Sequence, residues 1–461
     1  SAPRSRKAAR AAACAAVAAL AACSSGGSRP PVAKLPPTVL DTTALPPPPA
    51  ADTTTPEHLP DIAAPAEQQL GAPGKVVRIA LATSADKVTI SSTGAWRLLD
   101  SGGASTLVRA DGGQLWTVQN HDGVLRAVSD DGTVTPDRAA PFVARAAARG
   151  AVLTVNGAHY RGEVWVLPAS SGDGVLVVNR LYLEDYLRGV VPMEIGHRTE
   201  DEREAVAAQA IAARSYAYTH ITSGTRPFDM RSTVVDQVYG GADAETPLAD
   251  TAVAETRGLV LTYRGVVVNA PYHSVCGGRT AAASEIWHSG DEPYLKSVSD
   301  RIPGSDRFYC DIAPRFSWER TFTRAALRAL LDRYLKDYTT VSARGPGAPR
   351  ALAVATRTPS GRVRDLEIVT DRGRYTVRMD NIRFVLRASD GEILNSTSFT
   401  VENQHDADGD LARVIVRGNG YGHGVGMCQW GAIGRARAGQ DYRTILRAYY
   451  PGTTVAVVGA G

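Results

Sequence analysis

The chain has 461 residues, with 51 Lys and Arg against 47 Asp and Glu and a formal charge of +4. The first 22 residues hold four of the basic residues and no acidic one. The remainder is formally neutral, so bulk charge gives no case for nucleic-acid binding. Past residue 22 no stretch reaches the roughly 20 apolar residues that a membrane-spanning helix needs.

Arg4, Arg6, Lys7 and Arg10 form a basic start, and 11–22 is an apolar run too short to span a bilayer. It ends in Leu20-Ala21-Ala22-Cys23, followed by Ser24, Ser25 and Gly26, so small residues sit where a secretory signal is cleaved. Cys23 directly after Leu-Ala-Ala resembles the lipobox of bacterial lipoproteins. That resemblance implies acylation of Cys23 and a body tethered to the outer face of the cytoplasmic membrane by a lipid anchor. Residues 23–74 are rich in Pro, Ala and Thr. Such a segment buries too little apolar surface to fold and reads as a disordered spacer. Residues 75–461 are then enough for two or three packed layers.

From 75 to 178 the pattern is strand-like: VVRIALA, KVTISST, GQLWTV, AVLTVN and EVWVLP lie between turn signals. Asp111-Gly112, Asp122-Gly123 and Asp131-Gly132 predict hairpins. From 179 onward helices enter. Thr199-Glu200-Asp201-Glu202 is a capping-box pattern opening a helix to about His220. Ala207, Ile211, Arg214 and Tyr218 share one stripe of it, and Val206, Ala210, Ala213 and Ala217 another. GLVLTYRGVVVNAPY and RDLEIVTDRGRYTVRM predict hairpins. Thr323 to Leu335 predicts a helix, and Thr444 to Tyr450 a short one stopped at Pro451-Gly452. The class is α+β, a mixed strand-rich domain with a few helices around a polar cleft.

Two stretches carry chemistry, Leu181–Tyr218 and Gly418–Gly452. Each sets a carboxylate, Arg or His among Gly and aromatic residues, which points to a cleft built on a helix and a glycine-rich loop. Within and between them lie LEDYLRGVVPMEI, EAVAAQAIAARSYA, DQVYGG, ETRGLVLTYRG, YHSVCGGRT, PYLKSV, GHGVGMCQWGA and ILRAYYPGT. In this order, over roughly Val76 to Thr453, the segments resemble the SpoIID/LytB family of cell-wall proteins. The resemblance implies an exported peptidoglycan-active domain. Some members are similar to lytic transglycosylases acting on glycan strands stripped of peptide stems; others are described as enhancers of cell-wall amidases. It further implies Glu194 as catalytic acid and Arg214 and Tyr218 as cleft-lining helix residues. Gln237, Tyr239, His273 and Ser274 match further cleft positions, to which His423 of the glycine loop is added as a substrate-binding candidate. Some members bind zinc near the segment matching YHSVCGG.

A carboxyl held among apolar groups prefers its neutral form and can donate a proton near neutral pH. Glu194, between Pro192-Met193 and Ile195, has that setting. The bland alternative is a helix cap or ion pair. Common glycosidases need a second carboxylate, for which Asp236 and Glu285 are candidates while Asp185 sits in a solvated LEDY turn; a lytic transglycosylase manages without one, because the muramic C6 hydroxyl attacks internally. Arg214 has a fork suited to a sugar carboxylate or to positioning Glu194, against the alternative of a helix-face ion pair with neighbours such as Glu202. Tyr218, Tyr239, Trp287 and Trp430 either stack on sugars or fill the core. The loop Gly420 to Gly431 lacks the lysine of a phosphate cradle. Its glycines suit tight packing around His423 and Gln429.

Three of the five cysteines, Cys276, Cys310 and Cys428, follow the signal. In an oxidising compartment the simplest account is a Cys276–Cys310 disulfide and one free thiol. Zinc held by a subset of His273, Cys276, Cys310, His423 and Cys428 is the alternative, with long separations and no C-x-x-C against it. The expectation is no metal.

Overall fold

The computed structural model describes residues 74–458 apart from 101, 223, 225, 288, 289, 389 and 390. The signal-like segment, Cys23 and all of the spacer but Gly74 lie outside the described residues.

Alternating apolar residues build the first half. A seven-stranded sheet runs in the order Met230–Arg231, Val76–Ala85, Val175–Tyr182, Glu163–Pro168, Phe142–Ala146, Trp96–Asp100 and Ser105–Ala110. A five-stranded sheet holds Val124–Ser129, Trp116–His121, Lys87–Ser92, Leu153–Val155 and Ala158–Tyr160. Val88, Ile90, Val118 and Leu125 of the second pack with Phe142, Val164 and Val177 of the first in one core. Asp122 and Gly123, both at positive φ, turn the Trp116–His121 hairpin, as the dipeptide predicts.

The helices follow: α1 Leu183–Ile195, α2 Arg203–His220, α3 Pro247–Glu255, α4 Ala283–Ile286, α5 Arg324–Tyr334, α6 Asn381–Val385, α7 Gln429–Arg437 and α8 Tyr442–Tyr449. The strand Val175–Tyr182 runs directly into α1, which ties the strand-rich half to the helical part. Helix α2 opens as predicted: Thr199 and Glu202 form the capping box around a 3₁₀ turn, Glu200–Glu202. It touches α1, α3, α7 and α8. Its alanines are buried on nearly every face, so the two stripes expected from the sequence merge into one central helix. Small side chains allow that close approach from all sides.

Beyond residue 306 two three-stranded sheets, Ser317–Thr323/Leu411–Asn419/Phe399–His405 and Pro349–Arg357/Val363–Thr370/Gly373–Arg378, enclose a further core with α5. No helix among the described residues is long and apolar enough to cross a membrane.

Candidate active site around Glu194

Glu194 sits in the last turn of α1, after Pro192 and an exposed Met193, and the helix ends at Gly196. Its carboxyl is partly buried. Oε1 accepts the Val238 N–H at 2.7 Å. The Tyr272 hydroxyl and the Gln429 side chain also hydrogen-bond the carboxyl. Burial raises its pKa from 4.5 to about 7, against the pull of those three bonds toward the charged form. The group is thus poised to give and retake a proton near neutrality.

Each partner is itself held. Gln237 Nε2 donates to Tyr272 Oη at 2.9 Å and to the Ala213 carbonyl at 3.3 Å, while Tyr186 Oη donates to Gln237 Oε1 at 3.2 Å. With its lone pair so engaged, the Tyr272 hydroxyl keeps its own proton for Glu194. Gln429 Nε2 also donates to Gln209 Oε1 at 3.3 Å, tying α7 to α2. Tyr216 on α2 hydrogen-bonds Asp236 and feels the charge of both Asp236 and Glu194, which, after burial, push its phenol pKa up. Asp236 is thus the carboxylate nearest in role to a second acid. Asp185 instead pairs with Arg188 at 3.9 Å, and Glu285 accepts the N–H and hydroxyl of Ser360.

The glycine-rich loop explains how 271–281 and 418–428 lie side by side. Tyr272–His273 pairs in parallel with Met427–Cys428, and Val275 and Ala281 bridge to Tyr421 and Val425. Gly426, at φ 71°, faces the Pro271 carbonyl where a Cβ would stand only 1.9 Å away. No other residue fits there.

Several predicted site residues lie elsewhere. Arg214 is fully buried on α2. Its Nε and Nη2 grip Glu184 of α1 at 2.9 and 2.8 Å, and its other donors reach Val253 O and Leu259 O. It is a core clamp, not a cleft wall. Tyr218 points to the opposite side of α2 from Glu194's neighbours, with the Lys75 ammonium 5.1 Å from its ring centroid; Tyr216, two residues earlier, is the one that faces the site. Tyr239 is buried against Tyr160 and Tyr186 and donates to Asn179 Oδ1 at 2.9 Å. His273 is buried on the far face of its short strand, because successive side chains alternate and Tyr272 takes the Glu194 side. Its Nδ1 lies 3.1 Å from the Val425 carbonyl, and its Nε2 has no partner among the described residues.

Gln237 does serve the site, through Tyr272. His423 accepts the Val425 N–H at Nδ1 (3.1 Å), so Nε2 carries the proton it gives to the Tyr272 carbonyl at 2.9 Å. Burial lowers its pKa to about 4, which keeps it neutral. It props the Tyr272 backbone. Ser274 is half-buried, and its carbonyl accepts the Trp430 N–H at 3.1 Å. Trp287 lies 5.1 Å from the His423 ring, and Arg198 lies 5.2 Å above that of Trp430. Tyr272, Gln429 and Tyr216 are site residues that the sequence reading did not assign to the site, Gln429 entering it only as a residue packed by the glycine loop. The first two adjoin His273 and Cys428, so the motifs were found but the wrong face was chosen.

The pair expected to form a disulfide, Cys276 and Cys310, stands as two free thiols with Sγ atoms 3.4 Å apart. Cys428 belongs to the same buried cluster, together with Asp300. Neither His273 nor His423 is part of it.

The stage II sporulation protein family profile matches residues 171–263, and a domain of unknown function matches 306–426. An uncharacterized protein of Brachyspira hyodysenteriae is 33% identical over 305 residues, 66% of this chain and 74% of its own length. The stage II sporulation protein D of Bacillus subtilis is 31% identical over 299 residues, 61% of this chain and 77% of its own. The Bacillus subtilis amidase enhancer is 31% identical over 303 residues, which cover 58% of this chain but only 40% of the enhancer. The chain belongs to the stage II sporulation protein D family.

Proposed function

We propose that the protein remodels peptidoglycan by cleaving its glycan strands as a lytic transglycosylase, with Glu194 as general acid and then base. The observation that carries this reading is the Glu194 carboxyl itself, partly exposed and raised to about pKa 7. Protonated Glu194 gives its proton to the glycosidic oxygen as the bond to muramic C1 breaks. The muramic C6 hydroxyl attacks C1 and returns its proton to Glu194, leaving a 1,6-anhydro end. No water and no second carboxylate enter. Incubating the purified protein with denuded strands should yield anhydro-muramic ends by mass spectrometry, and Glu194→Gln should yield none while still binding glycan. General-acid catalysis contributes roughly 10²–10⁴-fold. Reducing muramic ends instead would call for a second carboxylate, with Asp236 first.

The second reading is a non-catalytic peptidoglycan-binding partner that stimulates a cell-wall amidase. The likeness to the amidase enhancer over 303 residues supports it. An inert wild type whose Glu194→Gln form still stimulates an amidase would establish it. The setting proposed for either activity is the outer face of the cytoplasmic membrane, through acylated Cys23; Cys23→Ala should leave the membrane pellet.

A further inference from the structure

The thiol cluster serves no part of the Glu194 network, yet it is among the most completely buried chemistry in the protein. Cys276, Cys310, Cys428 and Asp300 come from four separate segments, and each is 1% exposed or less. One ligand atom from each lies within 4.8 Å of all the others. We propose that these four side chains form a closed, four-coordinate structural zinc site.

The geometry suits that ion. Zinc–thiolate bonds of about 2.3 Å in a tetrahedron place sulfurs about 3.8 Å apart, and Cys276 and Cys310 stand at 3.4 Å. The surroundings suit thiolates. Cys428 Sγ accepts the backbone N–H of Cys276 at 3.2 Å and of Gly431 at 3.3 Å, the latter in the first turn of α7. Asp300 is oriented from behind: Oδ1 accepts Tyr449 Oη at 2.6 Å and Arg435 Nη2 at 3.4 Å. Oδ2 accepts the Cys310 N–H at 3.0 Å and faces the Cys276 sulfur at 3.8 Å. Outer bonds of this kind fix metal ligands in place.

Charge gives an independent argument. Arg362 is 1% exposed and donates to the Cys276 carbonyl at 3.0 Å. Its Nε and Nη1 have no hydrogen-bond partner among the described residues. A buried guanidinium without an anion is costly. Zinc with three thiolates and a carboxylate carries two negative charges, which Arg362 and Arg435 balance. A disulfide between any two of the cysteines supplies no such charge beside Arg362, whose other charged neighbours include the Asp380 and Glu285 carboxylates. Soft sulfur donors with one carboxylate and no open position favour zinc in a structural role. On binding, each thiol releases its proton to solvent and no electron moves. The site would join the segment after Tyr272 to the start of α7, whose first residue is Gln429; both neighbours bond Glu194.

The test uses the full chain purified under reducing, anaerobic conditions. One equivalent of zinc by elemental mass spectrometry is expected, with Cys276, Cys310 and Cys428 protected from alkylation until a chelator is added. Cobalt substitution should give thiolate charge-transfer bands and strong tetrahedral absorption, weakened in Asp300→Asn and lost in Cys428→Ser. His273→Ala should keep both the metal and the spectrum. Metal-free protein with freely alkylated thiols would overturn the proposal. So would a Cys276–Cys310 bridge in peptide maps of that preparation, or full metal content in a natively folded Cys428→Ser. The wild-type measurements decide the matter even if the variants fail to fold.

Discussion

Gln237 Nε2 donates to Tyr272 Oη at 2.9 Å, which turns the tyrosine into a donor toward Glu194. A buried amide fixes the direction of a phenol, and the phenol helps set the acidity of a carboxyl. The site is therefore built from the DQVYGG and YHSVCGG segments acting on the end of α1.

Tyr272→Phe removes one of the bonds that favour the ionised carboxyl, so the pKa of Glu194 should rise above its value of about 7. The alkaline limb of kcat/KM for glycan cleavage should move to higher pH by a measurable fraction of a unit. An unchanged limb would show that the hydroxyl does not act on Glu194.

Glu194 also marks stability. Its folded pKa of about 7 lies above the usual 4.5, so the folded state holds the proton more tightly between those values. Its contribution is fully present below pH 4.5 and is lost as pH rises through about 7. Glu194→Gln cannot ionise. It should match wild type near pH 4.5 and exceed it by about 3 kcal/mol at pH 8. Urea unfolding at the two pH values reads the difference.

Arg214→Ala should cost about 3–5 kcal/mol, because it leaves Glu184 without its partner inside the protein. Arg214→Lys should fall between that variant and wild type, since it keeps the charge and loses the fork. Glycan affinity of the folded protein should not change in either. Weakened binding at undiminished stability would return Arg214 to the substrate.

Gly426→Ala and Gly439→Ala separate clash from backbone strain. Both positions have positive φ, 71° and 79°, but only Gly426 meets backbone, the Pro271 carbonyl. Gly439→Ala should cost roughly 1 kcal/mol. Gly426→Ala should cost several-fold more and disturb the 271–281 pairing, which thermal unfolding would reveal.

Local signals settled much of this protein in advance. The capping box at Thr199, the helix beginning near Thr323, the Asp122-Gly123 turn and the alternating strands of 75–178 depend on neighbours a few residues apart, so the chain alone determined them. Glu194 was also legible, since a carboxylate between Pro-Met and Ile already has an apolar setting. What the sequence left open was which side of each element faces the cleft. Two residues on a helix or one on a strand reverse that choice, which is why Tyr216 replaced Tyr218 and Tyr272 replaced His273. Arg214 looked like a cleft residue because its partner Glu184 lies 30 positions away on another helix. The thiol cluster was hidden for the same reason: its four members span 276 to 428. Only the packing of 271–281 against the glycine loop brings them together, and chain separation carries no record of that contact.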